Sequence, residues 1–238
     1  MSPTEARQVR PGRDDRATRA YEQLRSLIVH GRLAPGTWII ESDIATRLGV
    51  SRTPVRAALQ RLEQEGYIVG TARGQQYRAA VSPLTRDDAR ELFAIVGEVE
   101  ALAARRAALR PAPERQALGG ELRVLNDRMR AASLPHPDQN LLFDADTAFH
   151  LRYVVGGSGP RLLALHQAIK PQAERYIRLY YSALVDEIAI SLSEHEVILE
   201  AIRRGEADAA QLAVEVNWRN AAERLQRVID SVGERGSW

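Results

Sequence analysis

Length, composition and charge set the first limits on what this chain can be. Its 238 residues are 45% hydrophobic and 27% charged, which is ordinary for a soluble globular protein of one large or two small domains. The absence of cysteine excludes disulfides and thiolate metal sites. No apolar run approaches the roughly 20 residues that cross a bilayer, and the polar first 15 residues lack the apolar core of a signal peptide. We therefore expect a cytoplasmic protein with no membrane contact.

The net charge of +2 hides a difference between the two parts of the chain. Residues 1–82 carry 13 arginines against 8 acidic residues, or +5, whereas the remainder carries 20 basic against 23 acidic residues, or −3. A basic first part joined to a slightly acidic second part indicates that only the first part approaches a polyanion.

The first elements in chain order predict a helix-turn-helix. Residues 1–15 read as a disordered basic arm, and helices are predicted over 16–30, 43–48 and 51–65. Ser42 and Ser51 are expected to cap the second and third helices, and Gly49 separates them. Two short helices around such a turn are typical of this DNA-binding motif.

A predicted β-hairpin completes this domain. Strand-forming residues 67–71 and 76–81 flank a tip that contains Arg73 and Gly74, as in the wing of a winged helix-turn-helix. The DNA-binding domain is therefore expected over 16–82, with a linker over 83–86.

The rest of the chain is predicted to be entirely helical. A domain over 87–232 is expected to form an antiparallel six-helix bundle for effector binding and dimerisation. Its predicted helices cover 86–109, 112–133, 139–156, 160–184, 193–204 and 206–230. The fold class is thus mainly α.

The third helix carries the residues expected to contact DNA. Its apolar positions recur at helical spacing, so Arg52 and Arg56 lie on a different face, beside Ser51 and Thr53. Arginine can bridge guanine O6 and N7 in the major groove, while hydroxyls and first-turn amides hold phosphates. Arg73 and Gly74 are expected in the neighbouring minor groove. The alternative is that the arginines only form a solvated face.

A metal site is predicted in the helical domain. Asp146 and His150 are four residues apart, so they project from one face of a helix, beside apolar residues that point inward. His195 and Asn217 lie on apolar seams of two later helices. A carboxylate with imidazoles suits Zn²⁺, Ni²⁺ or Mn²⁺. The alternative is a buried Asp146–His150 ion pair.

Several of these residues resemble a known family. The stretch 33–66, and above all Gly-Val-Ser-Arg-Thr-Pro-Val-Arg over 49–56, closely resembles the GntR family of bacterial repressors. The resemblance implies a two-fold dimer on an operator, with the third helix in the major groove. By position it places DNA contacts on Ser51, Arg52, Thr53, Arg56 and Gly74. Some relatives also have a contacting arginine where this chain has Ser42.

Residues 87–232 resemble the FadR-type sensing domain called FCD, and six helices rather than seven resemble its VanR subgroup. The motifs around Asp146, His150 and His195 carry this resemblance. It implies a divalent metal held by one Asp and three His, and a carboxylate effector.

This chain departs from that pattern at two positions. Asn217 replaces the third histidine, and Val96 replaces the arginine that grips the effector, although Glu100 is retained. We expect Glu100, Arg175 and Tyr176 to contribute to the effector site.

The expected function is therefore a ligand-responsive regulator, a repressor that binds an inverted-repeat operator in double-stranded DNA as a homodimer. An enzyme is the main alternative, because an open Asp/His/His metal site could activate water. The enzyme hypothesis leaves the first domain unexplained. An architectural DNA binder without effector leaves the large helical domain unexplained.

Overall fold

The computed structural model describes residues 13–73, 76–134, 136–184 and 187–236. The chain divides into two compact units after Pro83. Within the described residues there are nine helices and three strands, and none of these helices is long and apolar enough to span a membrane.

The first unit is a winged helix-turn-helix, as the sequence predicts. Its elements are α1 (Arg13–Val29), β1 (Trp38–Ile39), α2 (Glu41–Leu48), α3 (Arg52–Gln64), β2 (Ile68–Arg73) and β3 (Gln76–Val81). The sheet is antiparallel, with β3 between β1 and β2. Leu24, Val55 and Leu62 are fully buried in its core, so the apolar stripe of α3 faces inward.

The turn between α2 and α3 depends on a glycine. Gly49 has a φ of 65°, in the left-handed region, and its N–H closes the end of α2 on the carbonyls of Ala45 and Thr46. A side chain is strained in this backbone conformation. The turn fixes the angle at which α3 leaves α2.

Several details of this unit differ from the sequence prediction. Helix α1 begins at Arg13 rather than at residue 16, within the predicted arm over 1–15. Helix α2 begins at Glu41 rather than residue 43, and Ser42 is not its cap, because the Ser42 hydroxyl donates to Asp43 instead. Ser51 does hold the N-cap position of α3, but its side chain makes no capping hydrogen bond. Strand β1 was not predicted, since two residues are too short to show a periodicity.

The described part of the second unit forms six helices, as predicted. They are α4 (Arg86–Ala108), α5 (Ala112–Ala132), α6 (Gln139–Gly157), α7 (Pro160–Leu184), α8 (Ile188–Arg204) and α9 (Ala207–Val232). Helix α4 is central and packs against α6, α7, α8 and α9. Thr85 caps α4 by accepting from the Asp88 N–H.

The start of α8 corrects one prediction. The helix begins at Ile188, five residues before Ser193, where the sequence predicts its start. The Ser193 hydroxyl donates to the carbonyl of Ile190 within the helix, a local bond that lets serine sit in a helix interior.

Two glycines bring α6 and α9 close to α4. A Cβ at Gly157 would lie 1.9 Å from the carbonyl oxygen of Ala103, and a Cβ at Gly97 would lie 2.9 Å from Cβ of Trp218. Where the helices approach, His150 of α6 and Trp218 of α9 both contact Oε2 of Glu100 of α4.

Candidate functional site

The exposed face of α3 presents the predicted DNA-contacting residues together. Ser51, Arg52, Thr53 and Arg56 are all exposed at its first turns. Of the wing residues, Arg73 ends β2, but its side chain lies outside the described residues, as does Gly74.

Arg56 has a partner that the sequence did not suggest. Its Nε donates to both carboxylate oxygens of Glu41, at 3.0 and 2.8 Å. Glu41 opens α2, so the pair joins the two helices of the motif. The Arg56 side chain remains 65% exposed.

The second unit contains a small cavity of about 70 Å³ between its helices, partly open to solvent. One water needs about 10–15 Å³ by this measure, so the cavity has room for several waters or a very small organic molecule. Its polar lining consists of Asp146, His150, Ser191, Asn217, Trp218 and Arg224. Apolar side chains such as Phe93 and Ile188 form the rest.

Three potential metal ligands converge beside this cavity. One side-chain atom each from Asp146, His150 and His195 lies within 4.8 Å of the other two. His195 Nε2 is 3.6 Å from Asp146 Oδ1. Ligands bound tetrahedrally at about 2.0–2.1 Å are about 3.3 Å apart, so this pair is close to bonding geometry.

The tautomer of His150 is set by Glu100. His150 Nδ1 lies 2.7 Å from Glu100 Oε2, and a carboxylate can only accept, so Nδ1 carries the proton. In the neutral imidazole, this arrangement leaves the lone pair on Nε2. A carboxylate in this position orients and strengthens an imidazole ligand.

Asn126 does the same for His195. The Asn126 amide group donates to Leu192 O and Glu196 Oε1, so its oxygen accepts from His195 Nδ1 at 3.2 Å. His195 Nε2 is buried and has no hydrogen-bond partner within the described residues. Burial lowers the pKa of His195 well below its usual range, and the nearby His150 and Arg224 lower it further. The imidazole is therefore neutral, with an available lone pair.

Glu100 is the most heavily bonded side chain in this region. It is fully buried and contacts five donors: His150 at 2.7 Å, Tyr153 at 2.5 Å, His166 at 2.9 Å, Lys170 at 3.2 Å and Trp218 at 2.9 Å. Burial by itself raises the pKa of Glu100, but Lys170 and His150 outweigh it and hold the pKa well below its usual range. Glu100 thus acts as an internal anion that orients its neighbours, and it is not part of the cavity lining given above.

Asn217 and Arg224 share a buried carboxylate at the cavity wall. Asn217 Nδ2 donates to Glu194 Oε2 at 2.8 Å, and Arg224 contacts both Glu194 oxygens at 3.2 Å. The Arg224 side chain is only 8% exposed. The amide of Asn217 is oriented by this contact, with its nitrogen toward Glu194.

The other predicted effector residues are placed elsewhere. Tyr176 is buried, and its hydroxyl donates to Asp88 and accepts from the Thr85 N–H. Arg175 is also buried. Neither residue is among the described residues that line the cavity.

Sequence reasoning missed Lys170, Arg224 and Asn126. Lys170 is the only lysine in the chain, and that was the one available signal. Its ammonium lies 3.2 Å from Glu100 Oε1 and 4.4 Å from the centre of the Trp218 ring. It supplies a positive charge beside the buried Glu100 carboxylate.

Both units match known family models. Residues 16–75 match the model described as bacterial regulatory proteins, gntR family, and residues 91–220 match that of the FCD domain. The second match alone covers more than half of the chain. The chain belongs to the gntR family of bacterial regulatory proteins. The predicted family and fold class are thereby confirmed.

Individual relatives agree with this assignment. An HTH-type transcriptional regulator in an unstable DNA locus of Streptomyces ambofaciens is 30% identical over 87% of this chain and 84% of its own. The gluconate operon transcriptional repressor of Bacillus licheniformis is 26% identical over 78% and 75%. The solved structure of E. coli McbR/YncC has a TM-score of 0.69 at 20% identity, over 89% of this chain and 97% of its own, and shows the shared fold. By its family, the chain is therefore a DNA-binding transcription regulator and not an enzyme, as the sequence predicts.

Proposed function

We propose that this regulator is a repressor that binds an inverted-repeat operator as a homodimer and responds to a small carboxylate effector held beside a divalent metal. Residues 16–82 read the DNA, and residues 87–232 bind the effector and dimerise. The observation that carries the proposal is the buried, unpartnered His195 Nε2, 3.6 Å from Asp146 and beside the cavity.

The donor set fits a divalent metal better than a buried ion pair. Asp146 lies 3.6 Å from His195 Nε2. The acidic partner recorded for His150 within the described residues is Glu100, at 2.7 Å, and not Asp146. Burial keeps His195 neutral, so it cannot neutralise the Asp146 carboxylate. A Zn²⁺, Ni²⁺ or Mn²⁺ ion on Asp146, His150 and His195 would satisfy the carboxylate and both lone pairs.

The fourth family position is taken by Asn217. Its oxygen is a weak neutral ligand, and its nitrogen is held by Glu194. We therefore assign Asn217 to the edge of the site, where it orients a water or the effector. When bound, the metal supplies an open coordination position that accepts a carboxylate oxygen.

Arg224 supports an acidic effector. It is a buried cation on the cavity wall, paired with Glu194, which does not itself line the cavity within the described residues. A guanidinium can hold two carboxylates through different N–H groups. The small cavity favours an acid of few atoms.

The DNA contacts proposed for each protomer are Ser51, Arg52, Thr53 and Arg56 in the major groove, with Arg73 and Gly74 in the minor groove. One recognition helix contacts only a few base pairs, and two-fold pairing doubles the information read. A repressor role is supported by relatives that are named repressors.

Fluorescence-anisotropy titration of a fragment of the regulator's own promoter tests the proposal. We expect Arg52→Ala and Arg56→Ala to weaken binding, because a lost bidentate guanine contact costs about 1–3 kcal/mol of discrimination. We also expect small carboxylic acids to release the DNA with Zn²⁺, Ni²⁺ or Mn²⁺ present but not with a chelator. Sedimentation should give a dimer at micromolar concentration. A monomer with and without DNA, or unchanged affinity in both arginine variants, would contradict the proposal.

A further inference from the structure

The ion pair between Glu41 and Arg56 has a geometry that bears on how DNA is read. Both Glu41 oxygens contact Nε of Arg56, at 3.0 and 2.8 Å. The hydrogen bonds recorded for the Arg56 side chain within the described residues come from Nε alone. A guanidinium carries five N–H groups in one rigid plane, so four of them remain available on the exposed end of the side chain.

Reading guanine requires two of those N–H groups in a fixed position. A bidentate contact places them on O6 and N7 together. An exposed arginine otherwise moves among many rotamers. Glu41 restrains the Nε edge, and helix α2 fixes Glu41 relative to α3 through the Gly49 turn.

We propose that Glu41 is a positioning residue for sequence specificity: it holds Arg56 so that its terminal N–H groups meet one base. The inference rests on the proposed function, in which α3 enters the major groove. Glu41 also brings a negative charge towards the phosphates, which weakens binding to any duplex. The cost is offset only where Arg56 meets its matching base, so Glu41 lowers general affinity and raises discrimination.

A merely structural role predicts something different. Exposed ion pairs contribute little to stability, and one that only tied α2 to α3 would affect all duplexes alike. The two roles therefore differ in the ratio of specific to non-specific affinity, which folding stability does not change.

Asp43 provides a matched control. It is an exposed acidic residue in the same first turn of α2, and the bond recorded for its carboxylate comes from Ser42 rather than from α3. Asp43→Ala removes the same charge without touching Arg56. Glu41→Gln removes the charge but keeps an oxygen that can accept from Nε.

The experiment uses the full chain and two DNA probes. One is the duplex that the wild-type protein enriches most from a random-sequence pool, and the other is a scrambled duplex of the same composition. In Glu41→Ala we expect tighter binding to the scrambled duplex and a loss of about tenfold in discrimination, within the range of one bidentate contact. Asp43→Ala and Glu41→Gln should strengthen both interactions equally and keep the discrimination.

A double-mutant cycle distinguishes the positioning role of Glu41 from a merely structural one. In an Arg56→Ala background, Glu41→Ala should change discrimination no further, because the residues act as one unit. If Glu41→Ala behaves like Asp43→Ala while Arg52→Ala and Arg56→Ala weaken binding, the positioning role is wrong and the proposed function stands. If neither arginine variant affects either probe, the proposed function itself is wrong.

Discussion

His195 Nδ1 lies 3.2 Å from Oδ1 of Asn126, and this contact decides which imidazole nitrogen keeps a free lone pair. The proton is held on the Asn126 side, so the lone pair on Nε2 points toward Asp146, 3.6 Å away. The ring is also stacked on Phe149, with centroids 4.0 Å apart. His195 thus has the orientation and the free lone pair that the proposed metal site requires.

Removing this contact should weaken metal binding. In Asn126→Ala the ring loses its acceptor, and we expect metal affinity to fall by about 10- to 100-fold, the usual cost of losing such a partner. Asn126→Asp keeps an acceptor oxygen and should retain more of the affinity. Competition titration with a fluorescent chelator measures both. Equal losses in the two variants would mean that the contact is not what orients His195.

Lys170 should stabilise the fold through Glu100. In Lys170→Met the fully buried Glu100 carboxylate loses its nearest full positive charge, and we expect the free energy of unfolding to fall by about 3 kcal/mol. Adding Glu100→Gln removes the stranded charge, so the double variant should lose less than the sum of the single losses. Urea denaturation provides the values. Additive losses would show that the two side chains are not coupled.

The close approach at Gly157 should be essential to the site. Gly157→Ala puts a Cβ 1.9 Å from the Ala103 carbonyl oxygen, so α6 must shift away from α4, and we expect a loss of at least about 2 kcal/mol in unfolding free energy. Gly120 is the matched control, because it is an exposed helical glycine with nothing within 4 Å of the added Cβ. Gly120→Ala should gain about 0.5–1 kcal/mol. Similar effects at the two positions would contradict this packing.

The metal-free protein should lose stability in acid through His195. Its pKa is lowered by burial in the folded state, whereas in the unfolded chain it is about 6.5. Above about pH 6.5 His195 is neutral in both states and does not lower the free energy of unfolding. Below that pH only the unfolded chain takes up the proton, so the free energy of unfolding falls by up to about 1.4 kcal/mol per pH unit. Urea denaturation in EDTA at pH 7.5, 6.5 and 5.5 should give a smaller slope for His195→Leu than for wild type. Identical slopes would exclude this role.

Much of the fold could be predicted because its helices and turns depend on short stretches of sequence. The apolar spacing of α3 can be recognised from neighbouring residues alone. The same holds for Pro111 just before α5 and Gly205 just after α8, since proline and glycine interrupt a helical pattern. The start of α8 could not be predicted from Ser193. A serine can either cap a helix or lie inside one and bond back to a carbonyl, and the sequence does not distinguish the two. Strand β1 exists only through its pairing with β3.

The candidate site also has a part that local sequence predicts and a part that depends on helix packing. The spacing of Asp146 and His150 shows that they share a face, and the apolar seam shows that His195 points inward. No local pattern shows that Lys170, from α7, reaches Glu100 of α4, or that Arg224 reaches the cavity. Arg175 and Tyr176 were chosen because a cation stands beside an aromatic residue, but helix packing turns them toward other contacts.

Metal analysis of protein purified without a histidine tag tests the central claim most directly, alongside thermal melts with and without chelator. His195→Ala removes a proposed ligand, and His136→Ala removes an exposed histidine far from it in sequence. The account predicts stoichiometric divalent metal and a chelator-sensitive melting temperature in wild type and His136→Ala, with both lost in His195→Ala. Substoichiometric metal with a melting temperature that the chelator does not change, in wild type and His195→Ala alike, would contradict it.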